Sequence, residues 1–288
     1  MIITYGPASY LNWITNMLRF VSVLVALFAL TASSSFATDR CGDGGWCAIE
    51  NGYYLAKLPA NWDRKRALPL VVFFHGWNAT PEGMFRNRGL VDGVTRRGAI
   101  FVAPFAQTGY WRQIGAGRAE PGRDELRYVR ALMDDINRRW PIDAERTLAS
   151  GFSRGASMVW NVACYAGPLF KAYLPIGGGF WNSTPETCPT GSIHMRHIHG
   201  LKDGVVAYGE VGIYNSMPIP DGLAVLRKLN RCTAQRTETA AASPRLQCKT
   251  WPDCAGERRL EVCLHGGGHS IPAEWVGEGL DWVLTLSR

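Results

Sequence analysis

No Cys-x-x-Cys pair occurs anywhere in the chain, although it carries 8 cysteines among 288 residues. That spacing is the usual clip of a structural zinc site, so its absence argues against a metal. Long blocks of like charge are missing as well. No basic run exceeds residues 64–66, so the net charge of +7 is scattered over a solvated surface and leaves no nucleic-acid footprint. There is no apolar stretch of the about 20 residues that a membrane-spanning helix needs. Internal repeats and low-complexity tracts are absent too, and residues 237–244 read as a polar loop. What remains suits one α/β domain with a large core and no linker to divide it.

Residues 20–30 form an apolar run preceded by Arg19 and followed by "TASSSFA", with Ser35 and Ala37 at small-residue cleavage positions. This pattern predicts a secretory signal peptide over residues 1–37, leaving 38–288 as a single domain. Met17, followed by Leu18 and Arg19, would open a more typical signal than Met1 does. The expected location is secreted or periplasmic, with no membrane attachment once the signal is removed.

All the cysteines (Cys41, Cys47, Cys164, Cys188, Cys232, Cys248, Cys254 and Cys263) follow the expected cut. An even count in an exported chain argues for disulfides, although eight cysteines allow about 105 pairings. Local spacing favours Cys41 with Cys47 and Cys164 with Cys188. Residues 245–264 read as a hairpin turning near Cys254, which sets Cys248 across from Cys263 and leaves Cys254 for Cys232. Each bridge would contribute about 2–4 kcal/mol by restricting the unfolded chain.

The runs "ALPLVVFFHG" (67–76) and "GAIFVAPFA" (98–106) are continuously apolar, as strands buried on both faces should be. "RTLASGF", "AYLPIGGGF", "SIHMRHIHG" and "RRLEVCLHGGG" supply further strands. Leu126, Val129, Met133, Ile136 and Trp140 fall at helical spacing, and Pro141 ends that helix. Helical patterns return at residues 156–166, 221–230 and 274–286. Buried strands alternating with amphipathic helices predict βαβ units, and so a mainly parallel sheet with helices on both faces.

In such a sheet chemistry gathers beyond the carboxyl ends of the strands. There "RTLASGFSRGASMVW" (146–160) sets Ser153 between Gly151 and Gly155, in the G-x-S-x-G pattern of a strand-to-helix nucleophile elbow. Asp203 follows "MRHIHGLK" and His269 follows "EVCLHGGG". A serine hydroxyl is a poor nucleophile at neutral pH. It needs an imidazole to accept its proton, and a carboxylate to fix the imidazole's tautomer and stabilise its cation. Ser153, Asp203 and His269 are therefore the candidate nucleophile, acid and base, in the chain order of the α/β-hydrolases. Asp221 is the substitute acid, although it suits the start of a helix better. His265 is the substitute base, although it lies within the strand while Gly266, Gly267 and Gly268 carry His269 outward. His194, His197 and His199 read as core or rim histidines, the last two on one strand face.

The oxyanion formed on attack needs pre-aimed donors. The backbone N–H groups of Arg154, in the first turn after the elbow, and Trp77, in the loop after His75, are the candidates. The Arg154 side chain reads as surface charge. Trp77, Trp111 and Trp181 sit in loops on the same face, where flat rings suit a sugar or an aromatic acid. Arg112 and Arg118 are nearby cations.

Taken together, "FFHGWNAT", "ASGFSRGASM", "HIHGLKDGVVAY" and "LHGGGHSIP" resemble the secreted α/β-hydrolase branch of polyhydroxybutyrate depolymerases and related carbohydrate esterases, the feruloyl and acetylxylan esterases. The resemblance runs over residues 68–286. It implies an α/β-hydrolase fold, the same three catalytic residues, and a serine esterase that works through an acyl-enzyme without metal or organic cofactor. Its partner would be a small or polymeric ester. It also puts Tyr208 on the substrate rim, with Ala207 before it where the branch usually has proline. A serine peptidase and a non-catalytic carbohydrate-binding protein on a hydrolase scaffold are the rivals.

Overall fold

The computed structural model describes residues 40–113, 122–233, 237–239, 245–251 and 253–287. The expected signal peptide and Arg118 lie outside these residues. Strands β1 (Asp43–Ile49), β2 (Gly52–Lys57), β3 (Leu68–Phe74), β4 (Ile100–Pro104), β5 (Ile142–Phe152), β6 (Ala172–Ile176), β7 (His194–Gly200), β8 (Thr237–Thr239), β9 (Gln247–Trp251) and β10 (Leu260–His265) join in one sheet. Their spatial order is β1-β2-β4-β3-β5-β6-β7-β10-β9-β8. The central strands, β4 to β10 in that order, are parallel. The outer ones run antiparallel.

Side-chain alternation along β3 shows why its sequence is apolar throughout. Leu70, Val72 and Phe74 enter one core layer, and Val71 and Phe73 enter the layer on the opposite face. The first layer is covered by α3 (Glu125–Arg139), α4 (Arg154–Tyr165) and α5 (Ile219–Leu229). The second is covered by α2 (Arg88–Thr95) and α6 (Glu274–Val283). A short α1 (Pro81–Arg86) leads into α2.

Five elements depart from the sequence reading. Residues 237–239, read as loop, pair with β9 as the outermost strand. The antiparallel β1–β2 pair and the helices over 81–95 are additional to the elements expected. The cysteines pair as Cys41–Cys47, Cys164–Cys188, Cys232–Cys254 and Cys248–Cys263. Cys248 and Cys263 face each other across the β9–β10 ladder. No helix among the described residues is long and apolar enough to cross a membrane.

Candidate active site

Three chain segments converge at the end of β5. The strand stops at Phe152, Ser153 turns with φ 56° and ψ −122°, and α4 begins at Arg154. That conformation is strained for a residue with a Cβ, costing on the order of 1–3 kcal/mol, and the surroundings must impose it. They do so by close backbone approach. A Cβ on Gly155 would sit 1.9 Å from the Phe74 carbonyl oxygen, and one on Gly151 would meet the Gly155 backbone at 2.7 Å. Only glycines at both ends let β3, β5 and α4 come this near. The Ser153 N–H donates to the Ile176 carbonyl at 3.0 Å, which fixes the turn against β6.

Asp203 and His269 come from neighbouring loops that are laced together beyond their strands. The Leu201 N–H donates to the His265 carbonyl and the Lys202 N–H to the Gly267 carbonyl. The parallel register of β7 and β10 thus continues past the sheet and carries Asp203 alongside His269. His269 Nδ1 lies 2.7 Å from Asp203 Oδ2, and its Nε2 lies 2.8 Å from Ser153 Oγ. The carboxylate accepts only, so Nδ1 carries the proton and Nε2 is left to receive one from the serine. Asp203 Oδ1 accepts the N–H groups of Val205 and Val206, each at 2.9 Å. Burial pushes the Asp203 carboxyl up. The hydrogen bonds from His269, Val206 and Val205 outweigh it and hold the group below the usual carboxylate range. The Phe152 ring packs against His269 at 4.7 Å between centroids.

Beside Ser153 opens a cavity of about 450 Å³. Its walls are mostly apolar: Phe73, Met84, Leu90, Phe152, Ile271 and Ala273, with Trp77 and Val205 at the edge. The loop after β3 borders it. A Cβ on Gly76 would lie 3.6 Å from the Ser153 Cβ, so the next peptide, at Trp77, runs past Ser153. The neighbouring turn bonds use the N–H groups of Asn78 and Ala79, to Gly109 and Gly76. On the other side, the first turn of α4 brings the Arg154 N–H and the positive end of the helix dipole next to Ser153. Among the described residues no group of three or more His, Cys, Asp or Glu is placed to hold a metal ion.

No protein-family model matches the chain. Over 207 residues it is 26% identical to a probable feruloyl esterase C of Aspergillus clavatus, covering 67% of this chain and 72% of that one. Among solved structures, an acetyl xylan esterase from Aspergillus awamori matches with a TM-score of 0.61 at 16% identity, over 81% of this chain and 94% of that chain. A feruloyl esterase module from Clostridium thermocellum, complexed with sinapinate, matches with a TM-score of 0.55 at 11% identity, over 83% of this chain and 86% of that chain. The chain has the α/β-hydrolase fold of these esterases.

Within this α/β-hydrolase the expected residues separate into two sets. Ser153, His269 and Asp203 are joined by hydrogen bonds, and the peptides of Trp77 and Arg154 run beside Ser153. The expected aromatic platform does not form as a unit. Trp77 is 55% exposed and edges the cavity. Trp111 is fully buried, against Phe74, and its Nε1–H donates to the His75 carbonyl at 2.9 Å. It cannot touch substrate, because the loop after β4 folds its ring inward into the core. Trp181 is half-buried, with its Nε1–H donated to Ser157 Oγ at 2.8 Å. Tyr208 packs half-buried against the His199 ring. Neither lines the cavity.

The Arg154 side chain, read as surface charge, is only 3% exposed. Its Nε donates to the Trp111 carbonyl at 2.8 Å, and its guanidinium lies 4.2 Å from the Trp181 ring centre and 5.2 Å from that of Tyr110. Stacking on aromatic faces is what allows a cation to be buried there. Arg112 is tied to the Gly122 carbonyl instead of facing the cavity. Of the substitutes, Asp221 is exposed in the first turn of α5, and His265 Nδ1 accepts the Gly267 N–H while its ring packs on Trp275.

Sequence reasoning missed Met84, Leu90, Ile271 and Ala273. The first two stand on α1 and α2. Thr80, whose side chain caps Gly83 N–H, with Pro81 and Glu82 behind it, is the start signal that would have revealed that wall.

Proposed function

We propose that this chain is a secreted serine esterase whose catalytic domain is residues 38–288, freed of a signal peptide at 1–37, and which takes esters of large apolar or aromatic acids. The single observation that carries the reading is the unbroken line from Ser153 Oγ through His269 to Asp203 at the mouth of an apolar cavity. A cavity of about 450 Å³ falls in the range of small-molecule sites and far exceeds what an acetyl group fills. A phenylpropenoyl group, flat and largely apolar, suits it, with the exposed face of Trp77 as a stacking wall. The relatives' names, feruloyl esterase and acetyl xylan esterase, support an ester of a plant polysaccharide as the natural substrate.

The reaction follows from the geometry. Ser153 Oγ attacks the acyl carbon as its proton passes to His269 Nε2. The carbonyl π electrons move to the oxygen, and the N–H groups of Trp77 and Arg154 hold that oxyanion. Asp203 stabilises the imidazolium through Nδ1–H. Collapse of the tetrahedral centre breaks the bond to the alcohol oxygen, which leaves with the proton from His269. Water, deprotonated by the same nitrogen, then attacks the acyl-enzyme, and the acid is released as Ser153 recovers its proton.

A substrate panel tests the reading. Methyl ferulate and a medium-chain p-nitrophenyl ester should be cleaved with higher kcat/KM than p-nitrophenyl acetate, and peptide anilides left intact. Preference for acetyl esters would refute the acyl assignment, and anilide cleavage would favour the peptidase.

A further inference from the structure

Beside Asp203, two more histidines project inward from β7. We propose that His199 and His197 form a buried positioning pair that aims the Asp203 carboxylate at the catalytic imidazole. The proposal rests on the serine-hydrolase reading above.

The two residues are two apart on one strand, so they share a face, and both are 0% exposed. His199 Nε2 lies 2.7 Å from the Val206 carbonyl oxygen. A carbonyl only accepts, so Nε2 carries the proton. His199 Nδ1 lies 2.9 Å from His197 Nε2. Burial holds both imidazoles below the ordinary histidine range, so both are neutral at neutral pH. Neutral His199 then has a bare Nδ1, and His197 must donate its Nε2–H to it. The opposite assignment would set a lone pair against the Val206 carbonyl at 2.7 Å. One tautomer pair satisfies both contacts, and it leaves His197 Nδ1 buried without a partner, with its ring against Trp160.

The hydrogen-bonded line ends at the residue that closes the Asp203 turn. Asp203 Oδ1 accepts from Val205 and Val206, and the Val206 carbonyl in turn accepts from His199. The turn is therefore clamped at its far end, which sets the direction of Oδ2 towards His269. His199 Nε2 is also 3.6 Å from Asp203 Oδ2. That is too long for a hydrogen bond, but it places the positive end of an N–H dipole against a buried carboxylate. A leucine would fill the same space without burying a nitrogen that lacks a partner. Burying an unpaired polar atom is costly, and the donor at the other end of the pair is what that cost maintains.

Two measurements test this. Nitrogen-15 NMR of the native chain should report Nε2–H on both His197 and His199. Nδ1–H on His199 would overturn the proposal and needs no variant. In full-length variants assayed on a soluble p-nitrophenyl ester, His199→Leu should lower kcat on the order of 10- to 100-fold with KM nearly unchanged. It should also shift the downfield proton signal of His269 Nδ1–H. His199→Gln keeps a donor facing Val206 and should recover most of the kcat. Equal kcat in the Leu and Gln variants, or loss of thermal stability with native kcat and native proton signal, would overturn it. Native activity in Ser153→Ala would instead overturn the underlying hydrolase reading, so the two failures are separable.

Discussion

The two flanks of Ser153 are built from similar residues and do opposite things. On one side, Trp77 stands over a cavity walled by Met84, Leu90 and Ile271. On the other, Trp111, Trp181 and the Arg154 guanidinium are packed together. An aromatic ring serves as a binding wall only where the fold leaves a void beside it. Here that void exists because α1 and α2 stand off from the end of β3. The packed flank is different, since Arg154 ties the loops bearing Tyr110, Trp111 and Trp181 to the elbow.

The comparison breaks first if the flanks do not share a nucleophile. Ser153→Ala should cut kcat/KM for acetyl and long-chain p-nitrophenyl esters alike, by about 10⁴-fold or more. Loss for one acyl length alone would mean that a second group does the chemistry. The next largest effect belongs to the packed flank. Trp111→Ala should cost about 3–5 kcal/mol in urea unfolding, as for other buried aromatics, whereas Trp77→Ala should leave the midpoint nearly unmoved. Equal costs would erase the distinction between wall and core. Filling the open flank sharpens it. Met84→Trp should lower kcat/KM for methyl ferulate on the order of tenfold while acetyl ester hydrolysis changes little.

The smallest effect is graded with pH. Five of the six histidines, His75, His194, His197, His199 and His265, are held below the ordinary value, in each case chiefly by burial, with His194 lowered to about 4. The unfolded chain therefore binds more protons than the folded one once the pH drops below the free-histidine value of about 6.5. Tm should be flat above that pH and fall steadily between about 6.5 and 4. A Tm that rises on acidification would contradict the buried neutral histidines.

Much of this architecture was legible in the sequence because its signals are local. Central strands buried on both faces must be apolar throughout, as residues 68–74 and 100–104 are. Strand ends are where polar residues interrupt such runs, so Ser153, Asp203 and His269 could be placed at one rim. What escaped depends on contacts between distant segments. The β1–β2 strands are glycine-bearing and partly exposed, and only their pairing with β4 makes them part of the sheet. Helices α1 and α2 are short and broken at Asn87, too brief for a periodic pattern to emerge. The burial of Trp111 and of the Arg154 side chain is decided by how loops around residues 110 and 181 close over α4, which no spacing rule encodes.

The most direct measurement is the labelling of native protein with a fluorophosphonate, read by mass spectrometry. An activated serine at the elbow gives one label per chain on the peptide bearing Ser153, and the label is lost or strongly slowed in a folded His269→Ala variant. Label at another serine, or none on the folded native chain, would contradict the account.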